Sequence, residues 1–466
     1  MKYSRRAAAF ALIGALGALV LMATLYASIE ITNADSRPQG SWRDISSLQT
    51  RSDVNVLFIL IDTLRAHRLS AYGYDRETSP TLDYMSATGV RFARHLAQSS
   101  WTKCSMASLW TGLYPQHTGV LRSDHAVPDA ATLPAEILRE AGFRTAGIWR
   151  NGWVSPNFGF DQGFEVYERP VPSRIGPHLK IENPNITLEG TDRDAVDAAT
   201  EFLRVYGQER WFLYLHLMDV HQYLYDTRTA LFGSSYSDIY DNSIRHTDQI
   251  VGELLTHLVD QGLLAKTLVV LAADHGEAFG ERGIEGHARE VFRETTEVPL
   301  VIGFPFQLSG GLVVESGSRN VDIWPTLLDL LGLPALPETD GKSLVPQINA
   351  AATGAEVQSS PGFAHLDRTW GRGQMPARPS VAVRDGTFRY VLRRGAQGPG
   401  GQLLFDAETD PEERTNIVDD RPEIAARLRG LAEAYLEGEP PWAAAPSVEL
   451  DEAEAERLRA LGYAVP

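Results

Sequence analysis

Two apolar runs of this sequence end in groups that bind cations. Ile59-Leu60-Ile61 is followed by Asp62, and Val270-Leu271-Ala272-Ala273 is followed by Asp274 and His275. An ionised carboxylate at the end of a buried strand is costly unless a cation or donor compensates it. Two carboxylates and an imidazole make an oxygen/nitrogen set suited to a divalent metal. A third segment, Ser99 to Gly112, sets Thr102, Cys104 and Ser105 at the start of an expected helix. A hydroxyl or thiol there meets backbone N–H groups without intrahelical partners, which favour an anionic substrate and an activated nucleophile. His216 and His221 follow the run Trp211–Leu215, and His287 lies beyond a glycine-rich stretch after His275. Imidazoles so placed can protonate a leaving oxygen or hold anionic oxygens. Each piece also has an ordinary structural reading: Asp62 and Thr102 as helix caps, His275 satisfied by a turn, the other histidines at the surface.

These groups need a scaffold that brings strand ends together. Val56–Ile61, Trp211–Leu217, Thr267–Ala272 and Val298–Ile302 are short apolar runs, the kind buried on both faces of a parallel sheet. Thr132–Glu140, Ala195–Val205, Ile244–Leu258 and Val321–Leu331 read as helices between and after them. Alternating strands and helices predict an α/β layered fold, with ligands beyond the carboxyl ends of the strands. Residues 54–350 are expected to form the catalytic core, and the Gly/Pro/Ser-rich 351–378 an irregular insertion or loop. Val381–Asp385, Phe388–Arg393 and Leu403–Phe405 predict a small antiparallel array, covered by a helix over Glu423–Leu436, within a C-terminal subdomain at 379–440. Residues 441–466 read as linker and terminal helix.

Composition narrows the chemistry. The 466 residues carry a net charge of −17, which argues against a long phosphate-backbone interface and hence against a nucleic-acid partner. A single cysteine, Cys104, excludes intrachain disulfides and multi-cysteine metal sites. Ala7 to Tyr26 carry no charge, and at about 1.5 Å rise per residue the run is about 30 Å long, a bilayer's apolar thickness. Lys2, Arg5 and Arg6 precede it. The expectation is a membrane anchor within residues 1–30, a stalk over 31–53 and an exported catalytic domain, periplasmic or extracellular. A cleaved signal and a secreted protein are the alternative.

Longer motifs add a resemblance. Asp62-Thr63-Leu64-Arg65, continuing through Ser70-Ala71-Tyr72-Gly73-Tyr74 to Thr78-Ser79-Pro80, resembles the opening of the sulfatase branch of the alkaline phosphatase superfamily. Trp101-Thr102, Ser105, Ser108-Leu109 and Thr111-Gly112-Leu113-Tyr114-Pro115 are similar to its nucleophile segment. Asp274-His275-Gly276-Glu277, Gly286-His287 and Val298-Pro299 follow in the family's order, and Leu404-Phe405-Asp406 with Asp410-Pro411 resembles its C-terminal segment. The resemblance covers about Val54 to Tyr463. It implies an alkaline-phosphatase-like α/β/α fold with a mostly parallel sheet and a small C-terminal α+β subdomain. It also implies one divalent ion (Mn, Zn, Ca or Mg) on Asp62, Asp274 and His275, touching a Thr102 nucleophile. His221 and His287 match substrate-side groups, while Arg150 and Asn151 replace a lysine–histidine pair of the family.

The departures bear on the reaction. Sulfatases proper convert a cysteine or serine at the nucleophile position to formylglycine. Here that position is Thr102, Cys104 stands in place of the following proline, and Met106 in place of the arginine. Threonine cannot supply the aldehyde. Thr63 stands where a second aspartate is usual. The sequence therefore predicts a metal-dependent hydrolase or transferase of phosphate or sulfate esters, with phosphoryl transfer favoured. Its substrate is expected to be a small anionic ester, such as one on a glycan or lipid head group. The alternatives are a true sulfuric ester hydrolase and a non-catalytic, membrane-anchored relative.

Overall fold

The computed structural model describes residues 35–181, 190–357, 359–371, 375–395, 399–450 and 452–460. Eight strands build the main sheet: β1 (Asn55–Ile61), β2 (Val90–Phe92), β3 (Arg144–Ile148), β4 (Val166–Glu168), β5 (Trp211–Leu217), β6 (Thr267–Ala272), β7 (Leu300–Gly303) and β8 (Leu312–Val314). Their order is β8-β2-β7-β6-β1-β5-β3-β4. The block β6-β1-β5-β3-β4 is parallel, and β7 runs antiparallel to both its neighbours. The three central strands are buried along their whole length, as continuous apolar runs between two helical layers must be.

Helices α1 (Pro80–Thr88), α2 (Thr102–Thr111), α3 (Pro134–Glu140), α4 (Asp192–Tyr206), α5 (Tyr236–Asp260) and α6 (Ile323–Leu330) cover both faces. Val56, Phe58 and Leu60 of β1 pack with residues of α2, α3 and α6. Leu57, Ile59 and Ile61 pack with residues of α1, α4 and α5. This two-residue alternation assigns each strand side chain to a layer, and it puts Asp62 on the α2 side.

Strands β9 (Gly362–Asp367), β10 (Pro379–Asp385), β11 (Phe388–Arg393) and β12 (Gln402–Asp406) form a four-stranded antiparallel sheet, with α7 (Pro422–Leu436) packed on it. The architecture is a layered α/β/α fold with a small C-terminal β-rich subdomain. Arg389 of β11 joins the two parts, donating to Thr296 Oγ1 at 2.9 Å and to Glu297 Oε1 at 2.8 Å.

Several details differ from the sequence reading. Residues 362–367, read as part of a loop, are strand β9, because Ala364 and Leu366 alternate into the core as β10 pairs beside them. The expected stalk carries a 3₁₀ helix over Trp42–Thr50, whose Ile45 and Leu48 are buried in the core that also holds α6. Helix α5 begins eight residues before the expected Ile244, because the side chains of Ser235 and Asp238 cap each other's backbone N–H groups.

The membrane expectation is corrected. No helix among the described residues is long and apolar enough to cross a membrane. The apolar run over 7–26 lies outside the described residues.

Candidate active site

Strand register assembles the site. Leu60 of β1 pairs with Ala272 of β6 and with His216 of β5. Asp62 and Asp274, each two residues further on, stand level with one another just beyond the carboxyl edge. Asp62, Asp274, His216 and His275 are all fully buried. Asp62, His216 and Asp274 each bring one potential ligand atom to within 4.8 Å of the others. Thr63, between Asp62 and the following loop, has φ +61°. A β-branched residue rarely adopts this conformation, and here its neighbours hold it. Tyr240 of α5 donates to its carbonyl at 2.7 Å, and its amide donates to Asp274 Oδ1 at 3.2 Å.

The donor chemistry of this cluster fits a divalent cation. Asp274 Oδ1 accepts from the amides of Thr63 and His275, yet Asp274 Oδ2 and Asp62 Oδ1 are buried without a hydrogen-bond partner among the described residues. Two orphaned carboxylate oxygens facing one imidazole are what a missing positive charge leaves behind. Burial and the neighbouring Asp62 push Asp274 above the usual carboxylate range. Asp62 is pulled the other way: burial opposes its ionisation, but His221, His216 and His275 overcome that and hold it below the usual range. Sequence reasoning passed over His216 as a ligand. The sequence marks it as a histidine after a strand end, able to meet substrate oxygens, and its pairing with Leu60 places it beside Asp62. Its Nε2 lies 3.1 Å from Asp62 Oδ2, while Nδ1 meets the Tyr214 hydroxyl at 2.7 Å, a partner able to accept Nδ1–H and leave Nε2 for an ion.

Thr102 opens helix α2, which follows extended Trp101 and stops at Gly112 with φ +70°. Its Oγ1 lies 3.1 Å from His275 Nε2 and 3.3 Å from Asn151 Nδ2. Both partners are fixed from behind. His275 Nδ1 sits 3.0 Å from the Gly276 carbonyl, so Nδ1 carries the hydrogen and Nε2 accepts the Thr102 hydroxyl proton. Asn151 Oδ1 accepts from the Trp153 amide at 2.9 Å, which turns its Nδ2 toward Thr102 Oγ1 and toward Asp62 Oδ2 at 2.6 Å.

The remaining predicted residues divide. His287 and His221 lie beside the cluster with tilted rings: the His287 ring lies 4.6 Å from that of His275 and 5.1 Å from that of His221. Burial depresses His221 to about 4, although Asp62 pulls it upward. Burial alone would depress His287 too, but Glu277, Asp62 and Asp274 outweigh it and hold its pKa above the ordinary histidine value. Arg150 is engaged by a buried acidic network. Its Nη1 donates to Asp192 at 2.5 Å and Asp219 at 2.6 Å, and its Nη2 to Gln222 at 2.7 Å and to the Gly190 carbonyl. Cys104 lies on the core side of α2 with Sγ 3.9 Å from the His365 carbonyl, and burial pushes its thiol up to about 12.

Known proteins place this geometry in a family. Residues 54–333 match the Sulfatase family, and residues 280–434 match the C-terminal domain of N-sulphoglucosamine sulphohydrolase. A choline-sulfatase of Rhizobium meliloti is 34% identical over 79% of this chain and 83% of its own length. An ulvan-active sulfatase of Formosa agariphila is 26% identical over 78% of this chain and 77% of its own. Among solved structures, the phosphonate monoester hydrolase of Agrobacterium radiobacter superposes with a TM-score of 0.64 at 23% identity, covering 82% of this chain and 95% of that one. At that identity the superposition speaks for the fold alone. With a catalytic cluster suited to a single divalent ion, the chain belongs to the sulfatase family of hydrolases.

Proposed function

We propose that this protein hydrolyses sulfate monoesters with Thr102 as nucleophile. The observation that carries the reading is the Thr102 hydroxyl, held between His275 Nε2 and Asn151 Nδ2 beside the orphaned oxygens of Asp62 and Asp274. The sequence reading favoured phosphoryl transfer. Relatives named choline-sulfatase and ulvan-active sulfatase favour sulfate instead.

Asp62, Asp274 and His216 would hold the metal ion, which supplies positive charge for the ester oxygens and lowers the pKa of a nearby hydroxyl. Thr102 Oγ attacks sulfur in line, and its proton passes to His275 Nε2. The bond from sulfur to the leaving oxygen breaks as that oxygen takes a proton from His287, the protonated member of the His221–His287 pair. Asn151 Nδ2 steadies the negative charge on the attacking oxygen. Water then attacks the sulfur of the threonine ester and gives its proton to His287, and Thr102 Oγ regains its own from His275. Hydrogen sulfate and the alcohol are the products.

Phosphate ester hydrolysis is the second reading, favoured by one observation: threonine lacks the second hydroxyl by which a formylglycine hydrate expels sulfate. The test is side-by-side turnover of an aryl sulfate, a phosphate monoester and a phosphate diester, each with and without added divalent metal. Metal-dependent sulfate turnover dominating the panel is expected. Dominant phosphate turnover replaces this reading with the second, and silence on all three refutes both.

A further inference from the structure

Glu277 is a buried carboxylate that the mechanism above does not use. It is 2% exposed, and its side chain meets one hydrogen-bond partner among the described residues. That partner is His287: Nδ1 lies 3.1 Å from Glu277 Oε2 and 3.3 Å from Oε1. A carboxylate removed from water and satisfied by a single imidazole is expensive to keep unless the pairing serves a purpose. Its position suggests the purpose. Gly276 precedes it, and a Cβ there would lie 2.3 Å from the Glu294 carbonyl, so the chain must pass this point closely and can do so only as glycine. The hairpin that follows pairs Ala278 with Gly286, which returns His287 over Glu277.

We infer that Glu277 is a positioning residue that fixes the orientation of His287 by accepting its Nδ1–H. The inference rests on the ester-hydrolase reading. By taking Nδ1–H, the carboxylate leaves Nε2 as the atom that faces the leaving oxygen, on the side where the ring packs against His275. The same logic orients imidazoles that bind metals, where loss of the outer carboxylate commonly costs about 10- to 100-fold. An unsupported imidazole swings and offers either nitrogen. Its hydrogen bond to the departing oxygen weakens, and this loss is felt most where the leaving oxygen is basic.

The experiment compares the parent with Glu277→Gln, His287→Gln and the double variant on two esters, an alkyl ester and a 4-nitrophenyl ester. Each pair is drawn from whichever class, sulfate or phosphate, the parent turns over. Glu277→Gln should lower kcat on the alkyl ester by about 10- to 100-fold, with KM little changed, and lower the 4-nitrophenyl rate far less. In the His287→Gln background it should cost almost nothing further. Equal losses on both esters, or additive losses in the double variant, overturn the inference while leaving the ester-hydrolase reading intact. A measurement free of turnover runs beside it: the ¹⁵N resonances of labelled histidine, with His287 assigned by its disappearance in His287→Gln. A hydrogen-bonded Nδ1–H of His287 in the parent, with its Nδ1 resonance shifted in Glu277→Leu, is expected. An unchanged spectrum in that variant refutes the proposal whatever the substrate proves to be.

Discussion

The orphaned oxygens of Asp62 and Asp274 make a quantitative prediction about Asp274→Asn. Their cluster holds ligand atoms within 4.8 Å of one another. At that separation two carboxylate charges repel by about 3 kcal/mol if the effective dielectric is about 20. Asparagine keeps Oδ1 to accept from the Thr63 and His275 amides, and its Nδ2 replaces the orphaned Oδ2 with a neutral donor. The metal-free variant should therefore be more stable than the metal-free parent, in which burial and the neighbouring Asp62 oppose ionisation of Asp274. An ion at 100 times its Kd stabilises the parent by about 2.7 kcal/mol. An unfolding entropy of about 2.1 cal/mol/K per residue gives roughly 1 kcal/mol/K for a chain of this length. Either effect thus moves Tm upward by about 3 °C. Calorimetry of chelator-treated protein, with and without Mn²⁺, Zn²⁺, Ca²⁺ or Mg²⁺, reads both. The expected pattern is a parent that gains on metal addition and a variant that starts higher and gains nothing. A parent indifferent to all four ions, or a variant with the parent's full gain, refutes the reasoning.

Other consequences are equally open to measurement. Arg150→Met leaves Asp192 and Asp219 buried without their cation and should cost about 3–5 kcal/mol in urea unfolding; a loss under about 1 kcal/mol would show that the network does not hold the fold. His95, enclosed between Ser318 Oγ and Asn320 Oδ1, is depressed by burial to about 3. The unfolded state therefore binds its proton first, so stability is lost as pH falls below about 6.5. His95→Gln should flatten that acid limb, and an unchanged slope would contradict the assignment. Cys104, packed into the core with a raised thiol pKa, should appear as an unmodified cysteine in peptide mass analysis and resist alkylation in the native protein. Formylglycine at that position would overturn the threonine reading.

Much of this was legible in the sequence, for a definite reason. Strands buried on both faces must be apolar throughout, so β1, β5 and β6 announce themselves, and polar groups at their ends stand out as Asp62, Asp274 and His275 do. Thr102 shares its helix start with Cys104 and Ser105, and the family resemblance rather than any local pattern singled it out. What stayed hidden depends on register and side-chain direction, which no local pattern encodes. His216 is one residue inside a strand, and only its pairing with Leu60 reveals that it faces Asp62. Arg150 and Asn151 are neighbours in sequence but diverge in space, one bonded to Asp192 and Asp219 and the other to Thr102 and Asp62. Adjacent residues point apart once the chain is extended. Strand β9 was missed because the Gly/Pro/Ser-rich stretch around it masks a short alternation that only β10 makes meaningful.

The central claim is that Thr102 forms the covalent bond. The most direct measurement is turnover of the preferred ester by metal-loaded parent, Thr102→Ser and Thr102→Ala, with mass mapping of the parent quenched during turnover. The account predicts a sulfate adduct on the peptide carrying Thr102, activity retained in Thr102→Ser and a loss of at least about 10³-fold in Thr102→Ala. Near-parental turnover by Thr102→Ala, or an adduct on any other residue, would contradict it.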